Sequence, residues 1–382
     1  MKGSMPKIRF ITAFTGLIFV ISVKFVFAGQ TQWKGSITKE GDVTIVKNPK
    51  EPMFKRDILT LKEDFVLGGS QAQGESVFAS AWSIAVDGMG NIYVGDRRQA
   101  NVKVFDKAGV FIRTIGKRGQ GPGELEGLII SVAIHTNGQE LIVGDMNKLV
   151  LFDLQGQFKR NIPLRSRLGA NACLDPRGNI FAWISDIRGR RGILSQLNPD
   201  SSEVLAEIVA IPDPPDFNMY SPRAYWILDR QGRPIFGYPK AYEISFYNEH
   251  LKIAKMIRRT YEPSRVTDED KKIYLKRSNP PGVSGPPKYP CPSVHAAFRS
   301  FFIDDREHLF VQTWERSPDE KKDVYDIYDA EGRFIGRIAL NAHPDFINPT
   351  PRILVDNKLY AIEVDEKGYE VVKRYSVEWL KK

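Results

Sequence analysis

The chain has 382 residues, 42% of them hydrophobic and 26% charged, with only two cysteines. That is enough apolar sequence for a sizeable core, and too little cysteine for a disulfide-built scaffold. The formal charge is +9, but the first 28 residues hold four basic and no acidic side chains; the remaining 51 basic and 46 acidic residues leave +5, too mild an excess to argue for a nucleic-acid partner.

At the N-terminus Lys2, Lys7 and Arg9 precede an apolar run over residues 10–23, and Val26-Phe27-Ala28 stands before Gly29. This is the pattern of a secretory signal peptide spanning residues 1–28, cleaved after Ala28. Lys24 interrupts any longer span, so no membrane span is expected after cleavage, and the expected location is exported, periplasmic or secreted. No Cys follows the cut, which argues against a lipid anchor there. Residues 29–57 contain WKGSITKEGDVTIVKNP, two alternating runs about Glu40-Gly41-Asp42, and predict a hairpin extension. ILTLKEDFVL, residues 58–67, predicts one further strand.

Residues 82–115 set the pattern for the remainder: WSIAVDGMGNIYVGDRRQANVKVFDKAGVFIRTI. Four β-branched and aromatic runs alternate with turns, two of which (DGMG and DKAG) combine a self-bonding Asp with glycines suited to positive φ. Such a unit is a four-stranded antiparallel meander. Copies begin near residues 131, 171, 225, 300 and 352, with first-turn markers at Asp87, His135, Asp175, Asp229, Asp304 and Asp356. One meander cannot bury both faces of its sheet alone, so six copies predict an all-β, six-bladed β-propeller. The sixth copy is one strand short, and residues 58–67 supply the missing outer strand, closing the ring with the N-terminal end of the repeat. The propeller then occupies residues 58–382, and the hairpin is free to cover a blade edge or a mouth of the ring.

VDGMGNIYVGD with VKVFDKAGVFIRTIG, followed by GQGPGELEG, resembles the NHL-repeat branch of bacterial six-bladed propellers, a group of TolB-like fold. The resemblance implies the fold far more firmly than a function, since the group holds binding modules, lyases and members of no known activity. It also implies that GQGPGELEG is a blade connector; a phosphate cradle would need a helix start behind it, and strand-like sequence follows instead.

Between blades 4 and 5 the repeat is broken by an insertion, residues 260–294. SRVTDEDKKIYLKRS predicts a short charged helix and NPPGVSGPPKYPCP a loop, which could pack over the channel mouth. In a propeller the second-to-third-strand loops and the blade linkers share one face, where sites usually lie. His135, His308 and His250 fall in turns of the other face, whereas His295 and His343 fall in linkers of this one. Two histidines without a third ligand make a poor zinc site, so no metal and no cofactor are expected. The turn aspartates sit in separate blades and read as structural, Asp96 and Asp145 as loop caps. Cys173 and Cys291 could pair, although Cys173 stands where other copies carry Ala and reads as a small buried residue.

What remains is a basic and aromatic linker face, from which Arg223, His295, Arg299, His343, Tyr289 and Trp82 are the candidate ligand-binding residues. Guanidinium groups hold carboxylates or phosphates, and aromatic rings stack on sugars or peptide side chains. The expected function is a non-enzymatic propeller binding a peptide, glycan or protein partner around the channel. A lyase or hydrolase at the same mouth, or an envelope-complex scaffold, stand as alternatives.

Overall fold

The computed structural model describes residues 32–126, 131–134, 138–145, 148–164, 168–186, 188–201, 203–213, 220–278, 290–318, 322–341 and 352–380. Residues 1–28, expected from the sequence to be a signal peptide, and Tyr289 and His343 lie outside these residues. The unit from Trp33 onward is built as follows.

Each blade begins with a strand that an aspartate turns back. In blade 1, Ala81–Val86 runs into Asp87, whose Oδ1 accepts the N–H groups of Met89 and Asn91 at 2.9 and 2.8 Å. Gly90 completes the turn at φ 85°, where a side chain would strain the backbone. Asp175, Asp229 and Asp304 repeat the device in the first turns of blades 3, 4 and 5, and Asp106, Asp153, Asp329 and Asp365 in third turns. Blade 6 departs from it: Asp356 and Asn357 both take positive φ, 51° and 55°, and close a two-residue hairpin.

The strands form six blades of four antiparallel strands each, and in blades 1 to 5 sequence neighbours pair in order. The inner strands of the blades are Ala81–Val86, Ser131–Ile134, Leu168–Leu174, Tyr225–Leu228, Ser300–Ile303 and Arg352–Val355. Strand alternation explains why the sheets stack. In blade 2, Lys148–Asp153 buries residues on both faces; Val150 and Phe152 join the core against blade 1, while Leu149 and Leu151 join that against blade 3. Equivalent apolar clusters fill the seams between blades 3 and 4, 4 and 5, 5 and 6, and 6 and 1. A cluster in the last of these seams is what makes the array a ring rather than an open stack.

The ring is closed as the sequence predicts. Leu59–Gly68 pairs antiparallel with Glu370–Trp379 as the outer strand of blade 6, with Leu67 opposite Val372. The preceding hairpin, Ser36–Glu40 and Val43–Asn48, extends blade 4 to six strands, because Val43–Asn48 lies parallel to the outer strand Ile253–Arg259. Buried Asn48 ties it to blade 5, accepting the Phe334 N–H at 2.7 Å and donating to the Gly332 carbonyl at 2.9 Å.

The segment GQGPGELEG lies in a connector whose Lys117–Arg118 and Glu124–Leu125 form a two-residue parallel ladder. Asp96 is a cap: fully buried, its carboxylate accepts the N–H groups of Ala79, Ser80, Arg98 and Gln99, stitching the incoming linker to the second-to-third-strand loop. Between blades 4 and 5, Asp326 sits buried against Arg259 at 2.6 Å and Arg337 at 2.8 Å, and also accepts the Tyr242 hydroxyl. Cys173 and Cys291 are both free thiols. Among the described residues no helix is long and apolar enough to cross a membrane.

Candidate functional site

The insertion between blades 4 and 5 contributes one helix, α1 (Asp268–Ser278). It starts later than its sequence pattern allows, because Thr267 caps it. The Asp270 N–H donates to Thr267 Oγ1 at 3.1 Å, and Asp270 Oδ2 accepts both the Thr267 N–H and hydroxyl at 2.8 Å. Acidic Asp268, Glu269 and Asp270 in the first turn suit the positive end of the helix.

The Asp270 carboxylate does more than cap. Its Oδ2 lies 3.1 Å from Nε2 of His295, which stands in the linker entering blade 5. Burial works against its charge, but His295 and Thr267 overcome that and hold the Asp270 carboxyl down to about 2. The His295 N–H donates to the Ser264 carbonyl at 2.8 Å, so both ends of the insertion are tied together. The imidazole, with 2% of its side chain exposed, lies flat on Trp314 at 4.1 Å and edge-on to Tyr220 at 5.1 Å. Tyr220 stacks in turn on Tyr274 of α1 and donates its hydroxyl to the Asp270 carbonyl. Tyr220, Val266 and Tyr274 are the small core on which the helix sits.

Behind Trp314 lies a polar relay in blade 5. The Arg299 guanidinium stands 5.1 Å over the indole and pairs with Asp323 at 3.1 Å. Asp323 also accepts from Gln312, which accepts the Ser300 hydroxyl. Burial lowers the pKa of Arg299, and the nearby charges of Arg316 and Arg352 press the same way against Asp323. These groups surround a cleft of about 360 Å³ whose walls are Ser264, Thr267, Asp270, His295, Arg299 and Trp314, with the loop Glu315–Pro318 at its rim. The cleft thus joins a blade linker to a second-to-third-strand loop, the face on which the sequence places a site.

His295 and Arg299 come together here around Trp314. The other candidates do not join them. Trp82 lies in the inner strand of blade 1, where the Arg97 guanidinium covers its ring at 4.1 Å. Arg223 is exposed, two residues ahead of the inner strand of blade 4. Asp270, Asp323 and Arg352 were not among the candidates. Asp270 was hidden in a run of helix charges, and Asp323 and Arg352 begin or enter strands that gave no motif.

Chemically, a histidine held by a carboxylate can serve as a base, but this one is enclosed between two rings. Its Nδ1 is buried and meets no hydrogen-bond partner among the described residues. Cys291 packs beside the same ring cluster, yet burial raises its thiol pKa, the reverse of an activated nucleophile. Among the described residues no three His, Cys, Asp or Glu side chains gather as a metal would require.

The fold and this cleft define the class: a six-bladed β-propeller with a walled cleft on its linker face. The comparisons agree on the class. The family model DUF5128, described as a 6-bladed beta-propeller, matches residues 82–192. Among solved structures, the chain is similar to a Bacteroides fragilis protein named for its suspected export, at 14% identity and TM-score 0.56, over 88% of this chain and all of that one. It is also similar to a member of the DUF4221 family from Bacteroides vulgatus, at 12% identity and TM-score 0.50, over 85% of this chain and all of that one. A catalytically inactive virginiamycin B lyase of Staphylococcus aureus matches at 13% identity and TM-score 0.45, over 83% and 99% of the two chains. At these identities the likeness is one of fold. No curated protein matches the chain.

Proposed function

We propose that this is an exported, non-enzymatic propeller of the NHL-repeat kind that binds a peptide, glycan or protein partner on its linker face. The observation that carries the reading is the use to which His295 is put. Its Nε2 is spent on Asp270 and its ring is closed in by Trp314 and Tyr220, so it fixes α1 as a wall rather than presenting a base to a substrate. A cleft with a rigid aromatic side and a buried guanidinium behind it suits recognition. Arg299 and His295 are the central candidates in this reading, with Arg223 and Trp82 as further ones; Tyr289 and His343 remain candidates from the sequence alone.

The test is a peptide and glycan array probed with the protein lacking residues 1–28, beside Trp314→Ala and Arg299→Ala variants. Both variants are checked for native circular dichroism. A ligand that binds the parent at least about tenfold better than either variant supports the reading. It fails if no bound ligand depends on the cleft. It also fails if a ligand is turned over and His295→Ala abolishes the turnover, which would make the protein an enzyme.

A further inference from the structure

A second cleft, of about 450 Å³, runs along the seam between blades 5 and 6, and its walls include Lys322, Asn341, Arg352, Glu363 and Tyr375. Blade order explains this set. Lys322 begins the third strand of blade 5 and faces Asn341 at the end of the fourth, while Arg352 opens the inner strand of blade 6 beside Ala361. All three therefore lie toward the linker face.

The hydrogen-bond inventory of this cleft is lopsided. Its buried carboxylate is fully engaged: Glu363 accepts the Tyr375 hydroxyl at 2.8 Å and the Asn341 amide at 2.9 Å, with Lys373 at 3.8 Å. Arg352 is not. It is 6% exposed, its Nη2 donates to the Asn341 carbonyl at 2.6 Å, and its guanidinium stands 5.0 Å over the Tyr325 ring. Among the described residues its Nε and Nη1 are buried with no acceptor in hydrogen-bond geometry, although the guanidinium also bears on the Tyr325 hydroxyl. A buried charged donor left open forfeits a charge-assisted hydrogen bond. Folds seldom keep such a group without a use for it.

We infer that the seam between blades 5 and 6 is an anion subsite, in which Arg352 receives a carboxylate of the bound ligand and Lys322 attracts it from the rim. The inference rests on the binding reading above and names the chemistry of the ligand. One open guanidinium with one exposed lysine fits a singly charged carboxylate better than a doubly charged phosphate. Uronic-acid sugars and peptide C-termini both carry that group.

The experiment is calorimetric titration of the protein with galacturonate, galactose, tri-alanine and tri-alanine amide, repeated for Arg352→Gln and Lys322→Glu. Lys322 is exposed, so its variant is expected to fold even where the buried substitution disturbs the seam. At least one carboxylate should bind about ten- to a hundredfold better than its neutral counterpart. Arg352→Gln should erase that preference, and Lys322→Glu should weaken it severalfold with steeper salt dependence. Which of the two acids binds identifies the source of the carboxylate. Equal binding of acid and neutral forms overturns the inference while leaving the binding reading standing. Binding of none of the four probes at millimolar concentration, tighter binding of inorganic phosphate, or full carboxylate preference in both variants also overturns it.

Discussion

Asp270 offers the sharpest test of how α1 is held. In Asp270→Asn the side chain keeps its size but loses the charge that His295 and the Thr267 donors share. The folded carboxyl titrates at about 2, against 3.8 for the free group, and its side chain is only 14% exposed. A difference of that size corresponds to about 2 kcal/mol. Because the folded value is the lower one, this stability is present above the ordinary carboxyl range and is lost as pH falls toward 2. The parent should therefore exceed Asp270→Asn by about 2 kcal/mol at pH 7 and by about 1 kcal/mol at pH 3. Urea unfolding followed by tryptophan fluorescence measures the global part. Hydrogen exchange at the α1 amides measures the part that appears as undocking of the helix alone. A gap that stays constant between pH 7 and pH 3, or no gap in either observable, would refute the claim that this carboxylate clamps the insertion.

Two other sites carry predictions about the ring. Asp326→Ala leaves Arg259 buried beside a missing partner and should destabilise the protein by about 3–5 kcal/mol, with much of the loss recovered when Arg259→Met is added; denaturant midpoints of the single and double variants decide it, and a single-variant loss under about 1 kcal/mol contradicts it. Asp96→Ala strips the acceptor from four backbone N–H groups and should cost about 3 kcal/mol, with faster exchange at the Ala79 and Ser80 amides than elsewhere in blade 1.

The parts of this molecule legible in sequence are those written locally. Asp87 and Gly90 announce their turn within four residues, and the same spelling at Asp229 and Gly232 survives where the strands themselves have drifted; at Asp304 the aspartate persists with Glu307 in the glycine's place. Ring closure was legible too, because a blade lacking a strand at one end and a spare strand at the other leave one solution. His295 and Arg299 could be picked as candidates by position alone, since a linker ahead of an inner strand opens on the linker face. What could not be read was contact made outside the repeat pattern. Val43–Asn48 docks on Ile253–Arg259 in parallel, a choice set by the free edge of blade 4 and by Asn48 reaching Phe334, neither of which leaves a mark in the hairpin's own pattern. Asp270 looked like one helix charge among several, and only its 3.1 Å approach to a residue 25 positions away separates it from Asp268 and Glu269. Arg352 had no signal at all, for an open donor is a property of its surroundings.

The pairing of Leu59–Gly68 with Glu370–Trp379 has a consequence for the order in which the chain can fold. The first strand of the repeat waits for the last, with some three hundred residues between Leu67 and Val372 to be gathered in before the pair can form, an extreme of non-local contact. Until Glu370–Trp379 has left the ribosome, the blade 6 sheet lacks its third strand, and the apolar faces of blades 5 and 1 that border it stay wet. Closure this non-local predicts slow commitment to the native state, which would show as a slow refolding phase lost when residues 59–68 are transplanted beside the C-terminal strand by circular permutation.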